Sequence, residues 1–269
     1  MKPILVIRPT SEITTLYLNQ KTQTSNTMKT FKFSILLAFL TFSSFSIFAQ
    51  EKSKNQVFSI HEDHVKPSMV DEYEKLAEEF NALLKKYNPD IQYLALSDDQ
   101  FTYSYVSPID NMGDLDKNYF VESFDDEGKE MAKNIFSRMD KCYDTHGNHI
   151  IILDDELSYM PDGMSQTQEG MDYRTFYRHY YTPGNYDKLV ESVKAVKAYF
   201  AEKDSKRHFR VYRSGFGVSE AFFLVAISSK DAIHSAEMSK ANSELLGPEQ
   251  KKLIGDLFKY TSRFEVTNG

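Results

Sequence analysis

The residues whose types suggest chemistry concentrate on one stretch, Tyr173 to Tyr181. Read as a strand, with side chains alternating between two faces, it carries Tyr173, Thr175, Tyr177, His179 and Tyr181 on one side. Arg174, Phe176, Arg178 and Tyr180 fall on the other, and Arg210, Tyr212 and Arg213 follow on a later strand. Aromatic walls with a few convergent polar groups are what a small-molecule pocket needs. His179 as general base and Arg178 as the cation holding the resulting anion would suit a phenolic ligand. Tyr177, Arg178, His179, Arg210 and Arg213 are therefore the candidate ligand-binding residues, with His179 the candidate base. The plainer reading is an aromatic strand with solvated arginines, because β-propensity alone enriches Tyr and Phe.

The other chemistry-bearing residues point to less. His61 and His64 are three apart on a strand, so they face opposite ways and do not chelate one ion together. His146 and His149 flank Gly147, with Asp144 nearby, but no third ligand stands at a metal-site spacing. His146 reads equally as the last turn of a helix, where a histidine favours the helix dipole. Neither a metal nor a cofactor is expected. Cys142 is the single cysteine, set in the acidic context Asp140-Lys141-Cys142-Tyr143-Asp144, and reads as a structural thiol. There is no Walker loop, no GxGxxG, no GxSxG and no HExxH.

The elements that must position these residues occur twice. VFSIHEDHVKPSMVDEYEKLAEEFNALL runs from Val57 to Leu84, and YRTFYRHYYTPGNYDKLVESVKAVKAYF from Tyr173 to Phe200. Each reads as a strand, a turn around one proline, and an amphipathic helix. Setting Pro67 over Pro183 gives an offset of 116 and superimposes the apolar helix positions. Val70 falls on Tyr186, Tyr73 on Leu189, Ala77 on Val193, Phe80 on Val196, Leu83 on Tyr199 and Leu84 on Phe200. Those steps trace one face of an α-helix. On the strands, Glu62 falls on Arg178 and Asp63 on His179, so the copies differ in charge at matching places. Either these groups attract each other across a pseudo-twofold axis, or one copy alone keeps a site.

The rest of each half follows suit. Ile91–Leu96 and Phe101–Val106 read as a hairpin, Asp110–His146 as a long, mostly helical region with breaks around Gly113 and Gly128 and a Gly147 cap at its end, and His149–Leu153 as a strand. In the second half, Phe209–Arg213 and Ala221–Ile227 read as a hairpin, Ala232–Tyr260 as helix broken at Gly247-Pro248, and Arg263–Val266 as the last strand. Each half is thus β-α-β-β-α-β, the ferredoxin-like order, and the fold class is α+β.

Two fused halves with the turns His64-Val65-Lys66-Pro67 and Tyr180-Tyr181-Thr182-Pro183-Gly184 resemble the dimeric α/β-barrel superfamily, which includes antibiotic-biosynthesis-monooxygenase-like and NIPSNAP-like domains. The resemblance covers Val57 to Val266. It implies an intramolecular dimeric α/β barrel, with a ligand between a sheet and its helices, in the second repeat if the Tyr, Arg and His cluster marks the site. It also opens the alternative of a cofactor-independent monooxygenase-like enzyme with His179 as base. A third reading is a non-catalytic interaction module of the cell envelope.

Composition sets the outer limits. Of 269 residues, 41% are hydrophobic and 26% charged, which places the chain among globular proteins rather than disordered ones. Residues 1–27 are expected to be a non-native upstream extension, and residues 28–49 a signal peptide: Lys29 and Lys32, an apolar run from Ile35 to Phe48, then Ala49. That run is short for a membrane span, and no cysteine follows it to carry a lipid, so no stable membrane anchor is expected after cleavage. The mature chain is expected in the periplasm or outside the cell. Removing five basic residues and one acidic residue from totals of 32 and 39 leaves 27 and 38, a formal charge of −11. Such a surface repels phosphate backbones, so nucleic acid is not an expected partner. The expected division is repeat 1 over 50–161, a polar linker over 162–170 and repeat 2 over 171–269.

Overall fold

Among the described residues, eight strands form one antiparallel sheet in the order β2-β3-β1-β4-β6-β7-β5-β8. The computed structural model describes residues 56–87, 93–117, 122–166 and 168–269. The expected upstream extension, the signal peptide and the start of the first hairpin lie outside the described residues. The strands are β1 (Val57–Val65), β2 (Leu94–Ser97), β3 (Thr102–Ile109), β4 (Tyr143–Leu153), β5 (Tyr173–Tyr180), β6 (Arg210–Ser214), β7 (Phe222–Ser229) and β8 (Arg263–Asn268). The helices are α1 (Val70–Tyr87), α2 (Asp126–Met139), α3 (Tyr186–Glu202), α4 (Ala232–Leu246) and α5 (Pro248–Phe258). No helix among the described residues is long and apolar enough to cross a membrane.

The repeat is visible in the element bounds. β1 and β5 begin 116 residues apart, as do α1 and α3 and the 3-10 turns Pro67–Met69 and Pro183–Asn185 that join them. Proline opens each turn because its fixed φ suits a first helical position and its missing N–H is not needed there. The strand order within each half is the same, β2-β3-β1-β4 and β6-β7-β5-β8. The halves are joined where β4 pairs with β6, from Ile151 opposite Ser214 to Leu153 opposite Tyr212. On the far side the Asp99 N–H donates to the Asn268 carbonyl at 2.8 Å, so the two outer edges of the sheet meet and it curls towards closure.

Alternation then produces three cores. Inward-facing Phe58, Ile60, Ile151, Leu153, Leu224 and Ala226 fill the curled sheet. On the outer face of the first half, Tyr73, Leu76, Phe80 and Leu84 of α1 and Ile135 and Met139 of α2 cover Val65 and Tyr103. On the outer face of the second half, Leu189, Val193, Val196 and Phe200 of α3, with Leu246 and Leu257, cover Val211, Phe223 and Ile227.

The region Asp110–His146 is less helical than expected, and its last residues are strand. It contains the 3-10 turn Met112–Asp116, α2 and the first residues of β4. Gly147 therefore lies within a strand, opposite Glu62, and caps no helix. α2 starts where the Asp125 side chain accepts from the Gly128 N–H at 2.8 Å, a helix N-cap. Cys142 follows α2 directly. It is fully buried, and its Sγ–H donates to the Arg138 carbonyl at 3.6 Å, as fits a structural thiol.

Candidate functional site between the sheet and helices of the first repeat

A cavity of about 260 Å³ separates the first half of the sheet from α1 and α2. Its apolar wall comes mainly from Ala77 and Phe80 of α1 and Phe136 and Met139 of α2. Phe80 and Phe136 meet at 4.8 Å between ring centroids and close the wall between the two helices. The sheet side is polar. His61 and Asp63 of β1 project into it because an i, i+2 pair shares one face of a strand. Tyr105 of β3 stands directly opposite His61.

Pairing with β4 completes the cluster. Asp63 is opposite His146, and His61 opposite Asn148. The His61 Nδ1–H donates to the Asn148 side-chain oxygen at 2.9 Å, since an amide oxygen only accepts. That leaves Nε2 facing Asp63 Oδ1 at 3.1 Å. His146 Nδ1 lies 3.9 Å from the same oxygen. The other carboxylate oxygen, Oδ2, accepts from the Tyr73 hydroxyl at 2.6 Å, and that hydroxyl lies 2.9 Å from the Tyr105 hydroxyl. Asp63 is 4% exposed, whereas the His146 side chain is half exposed and stacks on Tyr143. The nearby Asp63 carboxylate raises the His61 pKa above the usual imidazole value, outweighing the opposing effect of burial. Burial raises the Tyr73 and Tyr105 pKa values, so both phenols stay protonated and available as donors.

The backbone around Asn148 is held from the β6–β7 hairpin. Gly217 has φ +96°, and a Cβ there would stand 2.6 Å from the Asn148 carbonyl. Glycine is the residue that permits both the left-handed conformation and the close approach.

The residues singled out from the sequence occupy two different surfaces. Arg178 and Arg210 point into the curled sheet. Tyr177 and His179 point outward beneath the helices, and Arg213, on the outward side of β6, pairs through Nε with Asp154 at 2.9 Å. Arg178 and Arg210 line one cavity inside the curled sheet, which Tyr177, His179 and Arg213 do not reach. Arg178 lies 3.9 Å from Glu62, 3.7 Å from Glu265 and over the Phe222 ring. His149 sits 3.8 Å from that same Glu62, and burial lowers its pKa. The sequence equivalents Glu62 and Arg178 therefore do attract each other across the pseudo-twofold axis. Arg210 is 2% exposed and donates to the Ser165 and Gln166 carbonyls and to Ser228. Tyr177 accepts from Arg207 at 2.9 Å and stacks on Phe264. His179 is held by Thr261 and packed against Phe258 and Phe264, and burial pushes its pKa down to about 4.

His146 and His149, which flank Gly147, do not approach one ion together. The two are on opposite faces of β4, His146 towards the helices and His149 towards Glu62. The His61, Asp63 and His146 grouping is hidden in the sequence because residues 143–146 follow a helical stretch and carry no alternating apolar set. The signal was nevertheless present: His-x-Asp at 61–63 and His-x-Asn at 146–148 share the two-residue spacing of one strand face.

Solved structures share this architecture at low sequence identity. An anthrone oxidase-like protein superimposes with a TM-score of 0.56 at 13% identity, covering 80% of this chain and 91% of its own. The fold is the dimeric α/β barrel. A candidate monooxygenase from Fusobacterium nucleatum matches with a TM-score of 0.51 at 12% identity over 80% and 91% of the two chains. A chlorite dismutase variant from Candidatus Nitrospira defluvii matches at 0.47 and 7% identity over 79% and 90%. No protein-family model and no curated protein sequence matches the chain significantly. At such identities the dimeric-barrel likeness speaks for the fold, and function has to be argued from the site.

Proposed function

We propose that this dimeric α/β-barrel protein binds a small, partly apolar molecule between the sheet and helices of its first repeat. The observation that carries this reading is the 260 Å³ cavity, apolar on its helix side and polar where His61, Asp63 and Tyr105 meet it. Cavities that enclose small ligands combine these two surfaces. A hydroxyaromatic ligand would fit both, with its ring against Phe80 and Phe136 and its hydroxyl at His61. This placement moves the ligand from the second repeat, where the Tyr177 and His179 side chains are occupied by protein partners.

The test is native mass spectrometry of the protein purified from its own host, followed by thermal shifts with a hydroxyaromatic panel. Co-purifying mass, or a shift with one panel member, is expected for the parent. Ala77→Leu, which fills the cavity, is expected to abolish it while circular dichroism stays unchanged. Ligand capture unaffected by Ala77→Leu overturns the placement.

A second reading, a cofactor-independent monooxygenase-like enzyme, is favoured by one observation. His61 stands on the cavity wall with its Nδ1–H held by the Asn148 side-chain oxygen, which orients the ring and leaves Nε2 as the nitrogen that can take a proton. In this reading the base is His61 rather than His179. Oxygen consumption with a hydroxyaromatic substrate, lost in His61→Gln and retained in His179→Gln, would establish it.

We also propose that the protein works outside the cytoplasm after removal of residues 28–49. The support is the basic, apolar and small-residue order of that segment. N-terminal sequencing of the host-derived protein is expected to begin at Gln50.

A further inference from the structure

We propose that His61, Asp63 and His146 form a binding site for a divalent first-row transition ion of the zinc class. The inference goes beyond the cavity reading and does not rest on it.

Three ligand atoms, one from each residue, lie within 4.8 Å of one another. His61 Nε2 and His146 Nδ1 stand 3.1 and 3.9 Å from Asp63 Oδ1. Ligands about 2.0–2.1 Å from a tetrahedral zinc are separated by roughly 3.3–3.5 Å. The present spacings bracket that value, and the half-exposed His146 is free to close the difference. The scaffold is a pair of adjacent antiparallel strands with Asp63 directly opposite His146, so two of the three ligands are set by main-chain pairing.

The surroundings fit a cation better than they fit a hydrogen bond. Asp63 Oδ1 is buried and accepts no hydrogen bond from the described residues. His61 Nε2 stands within ion-pair distance of it but is not aligned to donate. When His61 is neutral, with its Nδ1–H donated to Asn148, its Nε2 presents a lone pair to that carboxylate oxygen. Two facing acceptors need something positive between them, and a metal ion satisfies both without requiring a linear N–H···O arrangement. The outer contacts are those that orient metal ligands. Asn148 fixes the His61 tautomer, and the Tyr73 hydroxyl donates to the other Asp63 oxygen. Two imidazoles and one carboxylate suit zinc, iron(II), cobalt(II) or nickel(II). They leave at least one coordination position open.

The competing account is a protonated His61 paired with Asp63 and no affinity for metal. The experiment strips the purified chain with a chelator and titrates it with Zn2+ by calorimetry and with Co2+ by visible absorption. One equivalent is expected, with Co2+ developing the ligand-field bands of a low-coordinate site. Asp63→Asn and His146→Ala are expected to weaken binding by about 100-fold or more, and Asn148→Ala by about tenfold. His149→Ala, on the opposite face of β4, is expected to leave affinity unchanged. His146 is largely exposed, so its variant keeps the test decisive if Asp63→Asn does not fold. Absence of stoichiometric binding by the parent, or binding equally tight in His146→Ala, overturns the proposal. Neither result touches the Ala77→Leu test of the cavity.

Discussion

On the outer face of the first repeat, β1 presents His61 and Asp63; at the matching positions of the second repeat, β5 presents Tyr177 and His179. The neighbours change with them. Tyr103 and Tyr105, paired with Asp63 and His61, give way to Phe223 and Val225, paired with His179 and Tyr177. His146 and Asn148 give way to Phe264 and Val266. On the helices, Tyr73 and Ala77 are replaced by Leu189 and Val193. One backbone thus carries a polar cluster at the edge of a cavity in one copy and a packed aromatic layer in the other. The fold supplies positions, and side-chain chemistry decides whether a position becomes core or site.

The largest expected effect tests the packed copy. Phe223 is fully buried beneath Tyr181 and Tyr186. Phe223→Ala is expected to destabilise the protein by ~3–5 kcal/mol in urea unfolding. A loss below about 1 kcal/mol would mean that this layer is not the core the comparison requires.

The two histidines should respond to pH with opposite signs. His179 has a folded pKa of about 4, below the ordinary 6.5. Between those values the unfolded chain binds more protons, so stability present above pH 6.5 is lost as pH falls towards 4. The loss is on the order of 3 kcal/mol. His61 has a raised folded pKa. Its contribution is present below pH 6.5 and is lost as pH rises through the folded value. Urea melts from acid to above neutral pH should show His179→Leu flattening the acid slope, and His61→Gln removing a contribution that is full at acid pH and fades as pH rises. Slopes unchanged in both variants would break the contrast.

A smaller effect is expected at Tyr73, whose hydroxyl serves the buried Asp63. Tyr73→Phe leaves Oδ2 without that donor and should cost ~1–3 kcal/mol. The Tyr105 hydroxyl stands near enough to take over part of the role, so a double variant with Tyr105→Phe should lose more than either alone. The smallest change is Ala77→Val, which copies Val193 of the second repeat. It should alter stability by less than about 1.5 kcal/mol while reducing the cavity, read as weaker ligand-induced thermal shifts.

Much of the fold was legible locally. The 116-residue repeat, the β1 and β5 strands, α1, α3 and the helix break at Gly247-Pro248 follow from period-2 and period-3.6 patterns that neighbouring residues carry. The start of β4 was not legible. Tyr143-Asp144-Thr145-His146-Gly147 lacks an alternating apolar set, and it becomes a strand because β1, some 80 residues earlier, offers an unpaired edge. Reading it as helix hid the position of His146.

By itself the sequence determined the tandem β-α-β-β-α-β order, the proline turns and which residues share a strand face, because these depend on contacts a few residues apart. The tertiary structure alone decided which strands became neighbours and in what register. That choice set Asp63 opposite His146 and brought Glu62 to Arg178. Pairing across distant strands is fixed by burying two helix layers and the barrel interior at once, a condition no local stretch encodes.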